Sequence, residues 1–105
     1  MVSKIDSDQD SIRILIDSTR LEGQNSIFEY LLDQNINIDP VDRIIFDFSK
    51  VEYINSLGIA EFISLMKYYS EKKKRLKFKF YNVDKKIAKV FKMIELGTIA
   101  DIETK

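Results

Sequence analysis

The hydrophobic period changes partway through residues 43–66, and this change limits the chain to folds that alternate strands with helices. The first part is an apolar run between charged residues, which is typical of a strand buried on both faces of a sheet. In the second part, apolar residues recur at the i, i+3, i+4 and i+7 spacing of one helix face. The strand contains Ile44, Ile45, Phe46 and Phe48, and the helix face contains Ile59, Phe62, Ile63 and Met66.

The turn Asn55-Ser56-Leu57-Gly58 joins this strand to this helix. Ser56 stands where a helix N-cap is expected, a role that contributes about 1 kcal/mol. A nucleophilic serine would need a base at a recognisable spacing, and a phosphate-binding loop would need more glycine. The remaining role is that of a phosphorylation target, since a helix start tolerates a phosphoryl dianion and a docked partner does not. Leu57 lies off the core stripe, and Gly58 is expected to leave the backbone approachable.

The rest of the chain repeats the alternation. Residues 1–10 form an edge strand or a loose end, and residues 11–17 form a strand with alternate isoleucines inside. A helix with Ser26 and Glu29 in capping-box spacing ends near Gln34, and residues 76–81 form another strand. A helix capped by Asp84 and a short edge strand within residues 96–102 follow. The predicted inner side chains are Ile12, Ile14, Ile16, Ile27, Phe28, Leu31, Leu32, Leu76, Phe78, Phe80, Ile87, Val90, Phe91 and Ile94.

This order predicts a single α/β domain over residues 1–105, with a mixed, mainly parallel sheet of four to five strands and three to four helices. Helices cover both faces of the sheet, or one face is partly open. Parallel sheets bind partners beyond the carboxyl ends of their strands. We therefore expect residues 18–25 and 51–56, which follow two of the strands, to form the functional surface.

The composition excludes several classes of function. The chain has no Cys and no His, so it lacks a thiolate nucleophile, an imidazole base and the two best ligands for soft metals. The formal net charge is zero, so no overall field attracts nucleic acid or an anionic membrane. The basic residues 72–75 are expected to offset a helix dipole. Since the sequence shows no signal peptide and no apolar span, we expect a cytoplasmic protein. Since Cys and His are missing, we expect no cofactor, no metal and no enzymatic activity.

The same residues resemble the STAS domain family of bacterial anti-sigma factor antagonists. That family has an apolar strand ending in Asp-Leu, a DSSG or DSTG turn, a long helix, a strand, and a helix ending near Gly-Leu. Here the matching residues are Thr19-Arg20-Leu21-Glu22, Asp47-Phe48, Asn55-Ser56-Leu57-Gly58, Asn82-Val83-Asp84 and Glu95-Leu96. Two positions depart from the pattern: Asn55 replaces the aspartate before the serine, and Ala60 replaces the second glycine.

The resemblance implies that a serine kinase, itself the anti-sigma factor, phosphorylates Ser56. The unphosphorylated chain would bind this kinase and free a sigma factor, and a metal-dependent serine phosphatase would reset the switch. Neither direct nucleic-acid binding nor membrane insertion is implied. The residues expected to bind the partner are Leu21, Glu22, Gly23, Asn25, Asn55, Ser56, Leu57 and Gly58.

Two other classes of function stay open. The family also contains scaffolds and subunits of membrane-lipid transport complexes, in which the domain packs against other subunits without a phosphate cycle. The substitution of Asn55 for aspartate favours this alternative. A stand-alone enzyme is the third hypothesis, and it lacks a recognisable site.

Overall fold

The computed structural model describes residues 2–8, 10–23 and 27–105. In these residues the elements are β1 (Val2–Ser7), β2 (Ser11–Ile16), β3 (Arg20–Leu21), α1 (Ile27–Asp33), β4 (Arg43–Asp47), β5 (Tyr53–Ile54), α2 (Ser56–Lys72), β6 (Lys77–Val83), α3 (Lys85–Met93), a 3-10 turn (Leu96–Thr98) and β7 (Asp101–Thr104). The hydrophobic alternation builds a five-stranded sheet in the order β1-β2-β4-β6-β7, with one antiparallel pair, β1 with β2, and parallel pairs elsewhere. A second, two-stranded sheet pairs β3 with β5.

The predicted fold class is confirmed: a single small α/β domain with a mostly parallel mixed sheet and, in the described residues, three α-helices. The N-terminal residues form the edge strand rather than a loose end. The last strand begins only at Asp101, because a 3-10 turn occupies the start of the predicted segment. Ser26, the predicted first member of a capping box, lies outside the described residues.

The core is a cluster of phenylalanines between the sheet and two helices. The Phe62 ring of α2 lies 5.2 Å from that of Phe46 and 5.8 Å from that of Phe80. The Phe91 ring of α3 lies 5.2 Å from that of Phe80, so α2 and α3 cover the same face of the sheet. Helix α1 joins them through the Phe28 ring, 5.7 Å from Tyr68 of α2. Aromatic pairs at these distances add to the stabilisation that burial provides.

The opposite face of the sheet is partly open, which decides between the two predicted arrangements. Its side chains contact one another: Arg13 Nη1 lies 3.6 Å from Asp47 Oδ2, and the guanidinium lies 4.7 Å from the centre of the Tyr81 ring. Lys79 forms an ion pair with Glu103 of the next strand at 2.8 Å. Ile45 on this face is only half-buried. The prediction that β4 is buried on both faces is therefore wrong at Ile45.

Two further predictions about side chains are corrected. Four residues of the predicted inner stripes are exposed, because each lies at the flank of its stripe: Leu32, Ile63, Val90 and Ile94. Within the basic run 72–75, Lys73 does more than offset a helix dipole. Its ammonium group donates hydrogen bonds to the carbonyls of Ile38, Asp39 and Val41 and so ties the loop before β4 to the end of α2.

Candidate functional site

The two predicted loops meet through backbone hydrogen bonds. Strands β3 and β5 pair in parallel, with Arg20 opposite Tyr53 and Leu21 opposite Ile54. The carbonyl of Thr19 accepts from the N–H of Tyr53 at 3.0 Å, and the carbonyl of Leu21 accepts from the N–H of Asn55 at 3.0 Å. This small sheet therefore holds the segment after β2 against the first residue before α2. The predicted convergence of residues 18–25 and 51–56 is confirmed where the chain is described.

Asn55 caps helix α2, and the prediction that Ser56 would do so is wrong. The backbone of Asn55 is extended, and its side-chain Oδ1 accepts a hydrogen bond from the N–H of Gly58 at 3.0 Å. Its carbonyl also accepts the first intrahelical bond, from the N–H of Ile59 at 3.0 Å. An Asx side chain performs this task at least as well as serine. Ser56 is thus the first residue of the helix and is not needed as its cap.

The hydroxyl of Ser56 is therefore available for chemistry. The side chain is exposed, and its Oγ makes no hydrogen bond to another described residue. It sits in the first turn of a helix of 17 residues, where backbone N–H groups lack intrahelical acceptors and the dipole favours negative charge. An anionic group attached to Ser56 is stabilised by this position.

Leu57 is a prominent apolar side chain beside this hydroxyl, with 64 % of its surface exposed. Gly23 packs directly against it: a Cβ built on Gly23 would lie 2.6 Å from Leu57 Cβ. Gly23 also has a φ of +84°, in the left-handed region that other residues adopt at a cost. Both the backbone conformation and the contact therefore require glycine here. Gly23 gives Leu57 its support on the surface.

Leu21 and Gly58, both predicted to contact the partner, are buried instead. Leu21 has an exposure of 2 % and belongs to the core. Gly58 is covered by the β3 backbone, since a Cβ there would lie 2.5 Å from the carbonyl oxygen of Leu21. The expectation that Gly58 leaves the backbone approachable is wrong, because the glycine is required by close packing inside the domain. Both residues position the surface without presenting side chains on it.

Glu22 holds a neighbouring cation in place. Its Oε1 accepts a hydrogen bond from Arg20 Nε at 3.0 Å, and the guanidinium of Arg20 lies 4.2 Å from the centre of the Tyr53 ring. The hydrogen bond and the charge of Glu22 raise the pKa of Arg20, so the group stays cationic. Tyr53 is 41 % exposed, and the sequence analysis missed it. Asn25, the remaining predicted contact, lies outside the described residues.

Glu61 is a second residue that the sequence analysis did not single out. Its Oε1 accepts a hydrogen bond from the backbone N–H of Ile27 at 2.6 Å. Since Ile27 begins α1, a carboxylate of α2 satisfies one of the unpaired donors at the start of α1. Glu61 therefore fixes α1 relative to the helix that carries Ser56. No signal in the sequence reveals such a cap, because its two partners lie 34 positions apart.

We expect Asn55→Ala to lower the free energy of unfolding by about 1 kcal/mol, because the N–H of Gly58 loses its acceptor. Asn55→Asp retains a cap and should preserve the stability. Ser56→Ala should change it by less than about 0.5 kcal/mol, as is usual for exposed sites. Urea denaturation of the three variants checks this prediction. A larger loss from Ser56→Ala than from Asn55→Ala would show that the serine is the structural residue.

Across residues 2–8, 10–23 and 27–105, no three Asp or Glu side chains are grouped in a way that could bind a metal ion. None of the helices in the same residues has the length and apolar character to cross a membrane.

A comparison with protein-family models decides the family. The model of the STAS domain matches residues 9–104. The chain belongs to the STAS domain family. The match extends from just before β2 to the last residue of β7, so it includes the two loops and the Ser56 turn. In a comparison with curated proteins, none matches this STAS domain.

Solved structures share the fold of this STAS domain at low sequence identity. An anti-sigma-factor antagonist (STAS) domain protein from Planctomyces limnophilus has 14% identity and a TM-score of 0.69, with 99% of this chain and 89% of that chain covered. A proposed anti-sigma factor antagonist from Thermotoga maritima has 18% identity and a TM-score of 0.64, with 97% and 86% covered.

The fold also occurs inside a much longer protein. The murine Solute Carrier 26 family member A9 anion transporter has 10% identity and a TM-score of 0.75, and 95% of this STAS domain is covered. This chain spans only 17% of the transporter chain. At these sequence identities, the similarity to all three structures shows a shared fold.

Proposed function

We propose that this STAS domain is an anti-sigma factor antagonist whose partner docks on the Ser56 surface, formed by Glu22, Gly23, Tyr53, Ser56 and Leu57. The observation that carries the proposal is the exposed Ser56 hydroxyl in the first turn of α2, which Asn55 relieves of any capping role. A residue that is not needed for the helix can be modified without unfolding it. The family resemblance and the two antagonist structures of the same fold support the assignment.

The proposed switch acts through charge. A phosphoryl group on Ser56 would add about −1.5 to −2 charges, which the start of α2 accommodates. A partner resting on Leu57 would have to bury or oppose this dianion, and its desolvation is costly. Phosphorylation therefore leaves the domain folded and releases the partner. Leu57 serves as the apolar anchor, because most of its side chain is exposed and a docked partner would bury it.

The proposal defines the partners by the chemistry of the switch. One partner is a serine kinase that is also the anti-sigma factor, and the other is a metal-dependent serine phosphatase that removes the phosphoryl group. This STAS domain is their substrate and ligand, with no catalytic role, no cofactor and no direct contact with nucleic acid. Its proposed location is the cytoplasm, where these partners act.

Asn55 is compatible with this function. It supplies the same helix cap that an aspartate would supply, as the bond from Gly58 demonstrates. Its neutral amide places one negative charge fewer beside Ser56, so a phosphorylated Ser56 meets less repulsion from its own turn. Any kinase contact that needs the family's carboxylate is lost, and the kinase must recognise an amide instead.

Incubation with ATP and a serine kinase of the anti-sigma factor type, followed by peptide mass mapping, tests the proposal. We expect one phosphoryl group on the peptide that contains Ser56, and none in the Ser56→Ala variant. Ser64→Ala is the matched control, because Ser64 is also an exposed serine of α2. If the kinase labels another substrate but leaves Ser56 unmodified, the proposed switch is wrong.

A second candidate function is a packing subunit of a larger assembly, such as a membrane-lipid transport complex. Two observations favour it: the substitution of Asn55 for the family's aspartate, and the occurrence of this fold within a transporter chain. In this case Ser56 would not be modified. A pull-down that recovers a transporter ATPase and no kinase would support this candidate over the first.

A further inference from the structure

The charges of this chain are strongly segregated, although they sum to zero. Residues 67–105 contain twelve of the seventeen Lys and Arg residues but five of the seventeen Asp and Glu residues. The two parts of the chain therefore carry opposite net charges. Such asymmetry is an indicator of an anionic binding partner for the basic part.

Helix α3 concentrates this positive charge. It contains Lys85, Lys86, Lys89 and Lys92 and no acidic residue. All four lysines are exposed, and none forms an ion pair with another described residue. By contrast, the ammonium groups of Lys50 and Lys79 each lie against a carboxylate. The lysines of α3 are thus free to meet an external anion.

Helix α3 and the residue at its C-cap, Ile94, expose large aliphatic side chains next to these cations. Met93 is 76 % exposed, Ile94 is 46 % exposed and Val90 is 38 % exposed. Lys86 precedes Val90 by four positions, and Lys89 precedes Met93 by four, so the cations and apolar groups share one side of the helix. We call this side the α3 outer face; it consists of Lys86, Lys89, Val90, Met93 and Ile94.

The composition of the α3 outer face distinguishes between possible occupants. Protein interfaces are enriched in Arg and aromatic residues and depleted in Lys, and sites for single-stranded nucleic acid use aromatic stacking. This face has neither Arg nor an aromatic residue. Exposed lysines beside aliphatic side chains on an amphipathic helix are the pattern of peripheral binding to anionic lipid.

We propose that the α3 outer face binds the surface of a membrane that contains anionic phospholipid. Lys86 and Lys89 contact the headgroup phosphates, while Met93 and Ile94 insert between the headgroups. The helix is short and only two apolar side chains insert, so the binding is reversible and weakens with salt.

This binding is compatible with a partner on the Ser56 surface. Ser56 begins α2 at the carboxyl end of the central strands. The C-terminal end of α3 lies at the amino end of the sheet, because α3 follows β6 and leads back to the start of β7, which runs parallel to β6. Met93 and Ile94 therefore lie toward the end of the domain opposite Ser56.

Cosedimentation with vesicles tests the inference, using an equal mixture of phosphatidylglycerol and phosphatidylcholine and, separately, phosphatidylcholine alone. We expect the chain to bind the mixed vesicles and not the neutral ones. Lys86→Gln with Lys89→Gln should weaken binding about 30-fold, because the loss of each lysine near an anionic surface weakens binding about fivefold. Met93→Ser should weaken it about fivefold without changing its salt dependence.

Lys50→Gln with Lys67→Gln is the matched control, because it removes the same charge from other parts of the surface. Binding of neutral and mixed vesicles with equal affinity would overturn the proposal, and so would an equal loss in the control variant. The chain could instead bind neither kind of vesicle but form dimers that Lys86→Gln with Lys89→Gln abolishes. In that case the α3 outer face binds a second copy, and the lipid assignment is wrong. None of these measurements depends on whether Ser56 is phosphorylated, so the lipid proposal and the proposed switch are tested separately.

Discussion

Replacing Ser56 by aspartate is expected to weaken the complex with the anti-sigma factor kinase by about a hundredfold or more. The carboxylate would occupy the place of the Ser56 hydroxyl, which faces the proposed partner beside the exposed Leu57. A charge buried in an interface without a counter-charge costs about 2–5 kcal/mol. Isothermal titration calorimetry with the kinase measures this loss directly.

Three comparisons separate the switch from a loss of folding. Ser56→Ala should bind within about threefold of the unmodified chain, since small changes at exposed positions contribute little. Ser64→Asp adds the same charge to an exposed position about two turns further along α2 and should bind normally. Ser56→Asp should unfold at no lower urea concentration, because an acidic residue in the first turn stabilises a helix by about 0.3–1 kcal/mol. Equal affinities for the alanine and aspartate variants would contradict the proposed switch.

Gly58→Ala is expected to lower the free energy of unfolding by about 2 kcal/mol, although alanine is the better helix former. The helix propensity of alanine would contribute about 1 kcal/mol in favour of the variant. Against this, its Cβ would lie 2.5 Å from the Leu21 carbonyl oxygen and 2.8 Å from a side-chain carbon of Ile54. Backbone cannot move aside as a flexible side chain can, and overpacking of this kind costs about 1–3 kcal/mol or more.

The consequence of Gly58→Ala extends to the Ser56 surface. The carbonyl of Leu21 that the new methyl group would displace also accepts the hydrogen bond from Asn55. We therefore expect faster amide exchange of Asn55 as well as lower stability in urea denaturation. Gly97→Ala is the matched control, because a Cβ there meets nothing within 4 Å. Similar stability for the two alanine variants would show that the close approach at Gly58 is not limiting.

The hydrophobic periods predicted most of the architecture. The alternate isoleucines of β2 are all buried, and the inner residues of β6 also lie in the core. Phe62 and Met66 of the predicted α2 stripe are buried too, whereas Ile63 of the same stripe is exposed. These patterns are local, because period two and period 3.6 each follow from the geometry of one element. The meeting of the two loops could also be predicted, since carboxyl ends of parallel strands share one edge of the sheet.

Side chains that depend on a second segment could not be predicted in this way. Periodicity shows that Val90 and Ile94 flank the stripe that contains Phe91, but not how far the packing extends around the helix on that side. Gly58 is a small residue in a turn by sequence, and only the Leu21 backbone makes it indispensable. The carboxylate of Glu61 in α2 caps the start of α1, and its partner Ile27 lies 34 positions earlier in the chain.

Residue patterns along the chain were sufficient to predict the order of helices and main-sheet strands, the inner residues of β2 and β6, the position of the Ser56 turn and the resemblance to the STAS domain family. The folded structure was needed to show that β3 pairs with β5, that Asn55 caps α2, that the Ser56 hydroxyl is exposed, that Leu21 and Gly58 are buried, and that one face of the sheet is open. The physical reason is that periodicity and turn chemistry act between neighbours in the chain. Caps, close backbone approaches and coverage depend on which distant segments pack together.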